Sequence, residues 1–106
     1  KAINLIKDKV KNPTLILMSD DKHYLKDIFN ESKTLHICDI KPEVKLAIMS
    51  LCKYGILSAS TFSWAGSYYS MLNNGDITFF IAPKYWINHR MKKTYTGDKS
   101  DFINYI

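Results

Sequence analysis

Short apolar runs alternate with segments of helical periodicity along most of this 106-residue chain, and few folds accommodate such an alternation. Four of the runs predict buried strands, at residues 14–18, 34–38, 56–59 and 77–82. Strands separated by helices need crossover connections, which join parallel strands and are almost always right-handed. The order β-α-β-α-β-α-β therefore predicts an α/β fold with a Rossmann-like parallel sheet and helices on both faces.

The first three helical segments have residues that typically begin or end a helix. The first segment should stop before Pro13, because proline does not continue a helix. Asp20 or Asp21 is placed to cap the second segment. Pro42 suits the first turn of the third segment, and Gly55 is expected to end it.

The last third of the chain gives a weaker pattern. A helix is predicted at residues 63–72 and a turn at residues 73–76. Beyond Pro83 the sequence is polar and aromatic as far as residue 98 or 100. From there we expect a closing helix with an apolar face formed by Phe102, Ile103 and Ile106.

Length and composition limit the chain to one domain. With 106 residues and 46% hydrophobic content, residues 1–106 can form a single core but not two. The chain begins at Lys1, and we expect it to be the C-terminal fragment of a longer protein. A net charge of +5 favours an anionic partner such as a nucleotide, a nucleic acid or a lipid surface, without choosing among them.

Several kinds of site lack their sequence signals. Cys38 and Cys52 have no C-x-x-C spacing, so we expect two free thiols. His23, His36 and His89 have no ligand-like spacing, which gives no reason to predict a metal. Neither a dinucleotide-binding glycine motif nor a P-loop is present. No apolar run approaches the ~18 residues of a membrane span.

Polar residues follow the predicted strands at the edge where such sheets bind ligands. Ser19, Asp20 and Asp21 follow the first strand, Asp39 follows the second, and residues 60–63 follow the third. The third group is the most informative, because its hydroxyls and amides stand where a helix begins, and a helix start attracts phosphate.

The same residues also have structural interpretations. Ser60, Thr61 or Ser63 could simply cap the helix. Phe62 could stack on a nucleobase or fill the core, and Trp64 could likewise stack or pack. Asp20 and Asp21 resemble a ribose-binding or metal-binding pair, yet one of them is equally suited to capping. These residues alone give a phosphate-site candidate with its alternatives open.

Four runs of residues form a recognisable set. They are Ser-Asp-Asp at residues 19–21, Met-Ser-Leu-Cys-Lys at residues 49–53, Ser-Thr-Phe-Ser-Trp at residues 60–64 followed by Gly66, and Ala-Pro-x-x-Trp at residues 82–86. Together they resemble the signature of the α-1,2-fucosyltransferases, glycosyltransferase family 11. They occur in the family's order and at compatible spacing over most of the chain. The resemblance is therefore to the C-terminal, donor-binding lobe of such an enzyme.

This resemblance implies a two-lobed (GT-B type) parent that transfers fucose from GDP-fucose to a galactose hydroxyl of a glycan with inversion. It implies that Ser60, Thr61, Phe62 and Ser63 line the GDP-sugar site and stabilise the diphosphate as charge develops. It places Asp20 and Asp21 at the border of the nucleoside pocket. No metal or other cofactor is implied, and no residue of this chain is expected to be catalytic.

Departures from the family pattern bear on these expectations. The family's His-x-Arg-x-Gly-Asp motif belongs to the other lobe and has no counterpart here, so we expect the chain alone to be inactive. Tyr54 stands where the family has His, Ala65 where it has a second Trp, and Ser67 where it has Ala. Lys45 and Ala47 replace acidic residues, which bears on whether the donor is GDP-fucose.

Two other classes of function compete with the enzyme lobe. One is a degenerate glycosyltransferase-like module for protein interaction, and the other is a basic nucleic-acid-binding domain, which the charge permits without a supporting motif. As an enzyme lobe, the chain would bind a GDP-sugar and no nucleic acid, with the glycan acceptor reached through the missing lobe. We expect a cytoplasmic or peripheral inner-membrane parent if bacterial, and a Golgi membrane parent if eukaryotic.

Overall fold

The computed structural model describes residues 1–85 and 100–106. The helices are α1 (Ala2–Lys9), α2 (Lys22–Ile28), α3 (Pro42–Leu51) and α4 (Thr61–Asn74), with a 3₁₀ helix at Gly75–Ile77. The strands are β1 (Leu15–Met18), β2 (Leu35–Cys38), β3 (Tyr54–Ile56), β4 (Phe79–Ala82) and β5 (Ile103–Tyr105). The alternation of strands and helices confirms the predicted α/β class. Trp86, His89 and residue 98 lie outside the described residues.

The described residues form two compact units, Lys1 with Ile3–Lys45 and Ala2 with Leu46–Ile106. In the first unit β1 and β2 pair in parallel, with Leu15 opposite Leu35 and Met18 opposite Cys38. In the second unit β4 pairs in parallel with β3 on one side and with β5 on the other.

All of these strand pairs are parallel, as predicted, which is compatible with a Rossmann-like lobe. Our expectation of one hydrogen-bonded sheet was wrong for the described strands, which form a two-stranded and a three-stranded sheet. Periodicity identifies strands but not their partners. The second partner of β4 is β5, a segment for which the sequence pattern predicts a helix. Helices on both faces, the two-lobed arrangement and the single-domain organisation stay predictions.

The centre of the second unit is β4, which has a hydrogen-bonded neighbour on each side. Phe80, Ile81 and Ala82 are each at most 2% exposed. Leu57 and Ile103 join Phe80 and Ala82 in one cluster, against which Phe102 and Tyr105 pack. A continuous apolar run is what a central parallel strand requires, because both of its faces are covered.

The predicted closing helix is wrong. Ile103–Tyr105 is strand β5, with Phe80 opposite Ile103 and Ala82 opposite Tyr105. Ile106 N–H donates to the carbonyl of Ala82 at 2.9 Å and extends the pairing beyond the strand. The free edge of β4 therefore decides the conformation, since a short segment with a β-branched residue adopts whichever structure buries it.

The predicted position of β3 is also wrong, because Gly55 lies inside the strand and does not end α3. Gly55 is opposite Phe80, and a Cβ added to Gly55 would lie 2.7 Å from Cε1 of the Phe80 ring. Glycine is therefore needed here for close approach within the sheet and not for a helix cap. The strand at residues 56–59 that we predicted begins two residues too late.

Gly66 provides a test of the packing between α4 and α3. A Cβ added at Gly66 would lie 2.9 Å from Cβ of Met49, an atom that cannot move without the backbone. We expect Gly66→Ala to lower the free energy of unfolding by about 1 kcal/mol, because overpacking costs more than the gain in helix propensity. Urea unfolding followed by circular dichroism measures the change.

A Met49→Gly background serves as the control for Gly66→Ala. There residue 49 has no Cβ and the steric conflict is removed, so the same substitution should stabilise the protein by up to about 1 kcal/mol through helix propensity. An identical effect of Gly66→Ala in both backgrounds would contradict the contact between these residues.

Candidate functional site

The strand pairing places two of the predicted polar groups at one edge of the first unit. Because Met18 is opposite Cys38, Ser19 and Asp39 follow neighbouring strands at the same edge of the sheet. In the second unit, the carboxyl end of β3 leads through Ser58 to the start of α4. Each unit thus has polar residues where an α/β fold typically binds ligands.

Ser60 is the N-cap of α4. Its Oγ accepts a hydrogen bond from the backbone N–H of Ser63 at 3.2 Å, and its carbonyl accepts from the N–H of Trp64 at 3.2 Å. Its backbone is extended, as is usual at this position. The capping interpretation is therefore confirmed for Ser60.

Ser63 is buried, with 8% of its surface exposed, and its hydroxyl is occupied within the protein. Its Oγ donates to the carbonyl of Ser58 at 2.7 Å and accepts from the Ser60 hydroxyl at 3.0 Å. The hydroxyl therefore closes the connection between β3 and α4. A ligand could engage it only by replacing these bonds, which makes Ser63 a structural residue of the site.

Thr61 and Phe62 are the exposed residues at this helix start. Among the described residues, the Thr61 hydroxyl has no hydrogen-bond partner, and Phe62 is 39% exposed. Phe62 is therefore not a core residue, which removes one of its two interpretations. A free hydroxyl and an exposed aromatic ring at a helix N-terminus are suited to contacting a phosphate and a flat ring, respectively.

Trp64, in contrast, makes contacts that account for its presence. Its ring stacks on Tyr68 with centroids 5.3 Å apart and planes within 8°. Its Nε1–H donates to Ser100 Oγ at 2.8 Å. The packing interpretation is therefore the supported one for Trp64, although the residue remains 38% exposed.

The two aspartates after β1 have different roles. Asp21 is the N-cap of α2, and its Oδ1 accepts a hydrogen bond from the N–H of Tyr24 at 3.0 Å. The Asp21 N–H in turn donates to Ser19 Oγ at 3.1 Å. Asp20 is exposed, and its carboxylate has no partner among the described residues. Of the pair, Asp20 is therefore the one available to a ligand.

Asp39, at the end of β2, forms an ion pair with Lys22, whose Nζ donates to Asp39 Oδ2 at 3.0 Å. This hydrogen bond lowers the pKa of Asp39 below its ordinary value. Partial desolvation opposes the shift, and the charges of Lys22, Lys45 and Lys26 reinforce it. The carboxylate of Asp39 is thus committed to lysines of its own unit.

The structural role of Lys45 was not predicted from the sequence, in which the residue stands out only because it replaces an acid of the family pattern. It is 8% exposed, and its Nζ donates to the carbonyl of Ser19 at 3.0 Å. The sequence shows the helical spacing of Lys45, Met49 and Cys52, but only the structure shows that these residues are buried or half-buried. A lysine on such a face needs a polar partner.

Buried serines of α4 form another group that the sequence did not reveal. Ser67 and Ser70 are fully buried. Ser67 Oγ donates to the carbonyl of Trp64 at 2.7 Å, and Ser70 Oγ donates to the carbonyl of Cys52. Asn74 Nδ2 donates to the carbonyl of Ser50 at 3.3 Å. The Ser70 and Asn74 bonds join α4 to the end of α3 and the residue after it, whereas the Ser67 bond lies within α4. The Ser67 and Ser70 hydroxyls are buried and therefore not available to a ligand.

Groups suited to metal or thiol chemistry are sparse. Residues 1–85 and 100–106 contain no cluster of three or more histidine, cysteine or carboxylate side chains that could hold a metal ion. Cys38 and Cys52 are free and half-buried, and burial raises the pKa of the Cys52 thiol. His23 and His36 are exposed. None of the described helices is long and apolar enough to span a membrane.

The profile of the family described as Glycosyl transferase family 11 matches residues 1–104 of this chain. The chain belongs to this family. An alpha-1,2-colitosyltransferase from Escherichia coli is 33% identical over 90 residues, which cover 80% of this chain and 30% of that protein. The O-antigen biosynthesis glycosyltransferase WbnK from Escherichia coli is 27% identical over 103 residues, which cover 92% of this chain and 33% of that protein. No solved structure matches the chain.

The family 11 assignment confirms the resemblance given by the sequence motifs. It indicates a glycosyltransferase, a class that uses a nucleotide-sugar donor and a glycan acceptor. The chain spans about a third of the length of the curated relatives that it matches.

The geometry of the α4 start predicts different stabilities for three substitutions in this family 11 chain. We expect Ser63→Ala to lower the free energy of unfolding by about 1–2 kcal/mol, because it removes the part-buried hydrogen bond that the Ser63 hydroxyl donates to the Ser58 carbonyl. Ser60→Ala should cost about 1 kcal/mol through loss of the cap. Thr61→Val should stay within about 0.5 kcal/mol, because its hydroxyl is exposed. Urea unfolding measures these differences in the free energy of unfolding. A cost of Thr61→Val equal to that of Ser63→Ala would contradict the conclusion that the Ser63 hydroxyl is structural and the Thr61 hydroxyl is not.

The ion pair at the end of β2 predicts a pH dependence. Because the pKa of Asp39 is lowered in the folded state, its contribution to stability is present above the ordinary value of 3.8 and is lost as the pH falls through the lowered value. Lys22→Met should raise the pKa of Asp39, and Lys41→Met should change it less. A carboxyl-carbon NMR titration measures this pKa. Equal values in the wild type and in Lys22→Met would show that the pair does not form in solution.

Proposed function

We propose that this family 11 chain is the donor-binding half of a glycosyltransferase resembling the α-1,2-fucosyltransferases. The parent would transfer fucose from GDP-fucose to a galactose hydroxyl of a glycan with inversion. The chain alone would bind the donor without transferring the sugar, because it lacks the basic motif that the family resemblance assigns to the other lobe. No metal is required by this proposal.

The observation that carries the proposal is the Thr61 hydroxyl at the start of α4, which has no hydrogen-bond partner in the part of the chain that the structure describes. This helix has 14 residues, so its N-terminus carries the partial positive charge of a full helix dipole. The backbone N–H groups of Thr61 and Phe62 lie in the first turn of α4, where no carbonyl of the same helix is placed to accept a hydrogen bond from them. With the Thr61 hydroxyl they provide donors for a diphosphate, while Ser60 and Ser63 hold the turn in place.

The sugar is the least constrained part of the proposal. One Escherichia coli relative is named for colitose, whereas the motif resemblance is to enzymes that use fucose. Lys45 and Ala47 also replace acidic residues of the family pattern. GDP-fucose and GDP-colitose should therefore be compared directly. The relatives come from Escherichia coli, which supports a bacterial parent in the cytoplasm or at the inner membrane.

A degenerate module for protein interaction is the second candidate. Its supporting observation is that Lys45 stands where the family pattern has an acid. The Lys45 ammonium donates a hydrogen bond to the Ser19 carbonyl within the protein. Such a module would keep the fold and lose the nucleotide. A nucleic-acid-binding domain has only the net charge of +5 in its favour.

Calorimetric titration of the chain with GDP, GDP-fucose, GDP-colitose and UDP tests the donor proposal. We expect saturable binding of the guanine nucleotides and none of UDP. Binding of no nucleotide, together with an unchanged fold, would favour the degenerate module. Salt-sensitive binding of long polyanions regardless of sequence would instead support the nucleic-acid candidate.

The matched variants Thr61→Val and Thr14→Val locate the diphosphate. Both remove an exposed threonine hydroxyl, but only Thr61 lies at the α4 start. We expect Thr61→Val to weaken GDP binding by about three- to tenfold, as for a lost hydrogen bond to a charged group. Thr14→Val should bind as the wild type does. Equal affinity of all three proteins would remove the α4 start from the site.

A further inference from the structure

The turn between β1 and α2, formed by Ser19, Asp20, Asp21 and Lys22, is held at both ends by side chains from the β2–α3 segment. At one end, the Lys45 ammonium on α3 donates to the carbonyl of Ser19 at 3.0 Å. At the other end, the carboxylate of Asp39 accepts from Lys22 Nζ at 3.0 Å. Asp20, whose carboxylate has no partner among the described residues, lies in the chain between Ser19 and Lys22, the two anchored residues.

The two anchors differ in strength because they differ in exposure. The Lys22 and Asp39 side chains are 46% and 55% exposed, and an exposed ion pair contributes little to holding a turn. Lys45 is 8% exposed. Its bond to a carbonyl is charge-assisted and poorly accessible to competing water, so it is the stronger constraint.

A buried ammonium on an otherwise apolar helix face is unfavourable unless it is hydrogen-bonded. Lys45 has one hydrogen bond among the described residues, and its acceptor is the first residue after β1. The lysine stem spans from α3 to the carboxyl edge of the sheet, where Ser19 and Asp39 follow neighbouring strands. The cost of burying this charge is thus offset at the turn that presents Asp20.

We infer that Lys45 is a positioning residue, which holds the Ser19–Lys22 turn so that the Asp20 carboxylate is preorganised to accept hydrogen bonds from the hydroxyls of a nucleotide's ribose. The inference rests on the proposed function for its ligand. Lys45 does not itself contact the nucleotide. Removing the Lys45 ammonium leaves the Asp20 carboxylate in the chain, but the turn then has to become ordered when the nucleotide binds. The observed affinity is the intrinsic affinity multiplied by the fraction of molecules whose turn already has the competent geometry, and that fraction falls.

The test compares Lys45→Met with Lys41→Met in the full 106-residue chain. Both remove one positive charge near the start of α3, but Lys41 is exposed and lies outside the hydrogen bond to Ser19. Without nucleotide, we expect Lys45→Met to shift the ¹⁵N amide resonances of Asp20 and Asp21. We expect it to weaken GDP binding by about three- to tenfold. Lys41→Met should leave both unchanged, and Lys45→Arg should restore most of the affinity.

Each outcome supports or overturns the inference. Unshifted Asp20 and Asp21 resonances in Lys45→Met would show that the ammonium does not hold the turn. Shifted resonances with unchanged GDP affinity would leave Lys45 a purely structural residue. A wild type that shows no GDP binding would overturn the proposed function and, with it, the nucleotide role of Lys45, while the resonance shifts would still report on the tether.

A second variant covers the possibility that Lys45→Met does not fold. Lys22→Met releases the other, exposed anchor of the same turn and removes no buried group. We expect it to shift the Asp20 and Asp21 amides in the same direction by a smaller amount and to weaken GDP binding by less than threefold, as for a surface ion pair. A larger loss of affinity in Lys22→Met than in a folded Lys45 variant would overturn the assignment of the buried anchor.

Discussion

The burial of β4 between two parallel neighbours is the constraint on which the second unit depends. Phe80 and Ile81 are almost completely buried, and the Phe80 ring covers the position opposite it in β3. That position can therefore hold only glycine without a shift, which fixes the register of β3 through Gly55. Because the register is fixed, the chain leaves β3 at a defined point and reaches the start of α4 through Ser58.

The site at the α4 start is built from hydroxyls with separate tasks. Two of them are used within the protein, because Ser60 caps the helix and Ser63 donates a hydrogen bond to the Ser58 carbonyl. The hydrogen bond between Ser58 and Ser60 hydroxyls, at 3.3 Å, completes this local set. The turn is therefore held by its own hydrogen bonds, while the Thr61 hydroxyl has no partner among residues 1–85 and 100–106. In the proposed donor site, such a turn would stabilise developing charge with little reorganisation.

Sequence patterns predicted the local features better than the pairings between distant segments. The alternation of strands and helices, the parallel pairing and the cap at Asp21 or Ser60 follow from neighbouring residues, and the structure confirms them. Strand β5 was not predicted, because its three residues acquire strand geometry only from the edge of β4. Gly55 was misread for a related reason, since its requirement comes from the Phe80 ring, which is 25 positions away in the chain. In the candidate site, sequence spacing could not tell which of several hydroxyls or carboxylates was free, because that depends on three-dimensional hydrogen bonding.

The replacement of an acid by Lys45 does not by itself separate an active donor lobe from a degenerate module. A mispaired residue at position 45 would be a buried polar group without a partner. Among the described residues, no buried side-chain nitrogen or oxygen lacks a hydrogen-bond partner. Lys45 instead meets the Ser19 carbonyl, so the fold has accommodated the change of charge at the carboxyl edge of β1. The hydrogen bond holds the turn, while the charge at position 45 has the opposite sign to that of the family pattern. A ligand that depended on a carboxylate at this position would be lost, whereas one held by Asp20 would be kept. Under the proposed function, the charge reversal would therefore bear on which nucleobase is selected. The Asp20 and Thr61 side chains, neither of which has a partner among the described residues, would each bear on whether a nucleotide is bound at all.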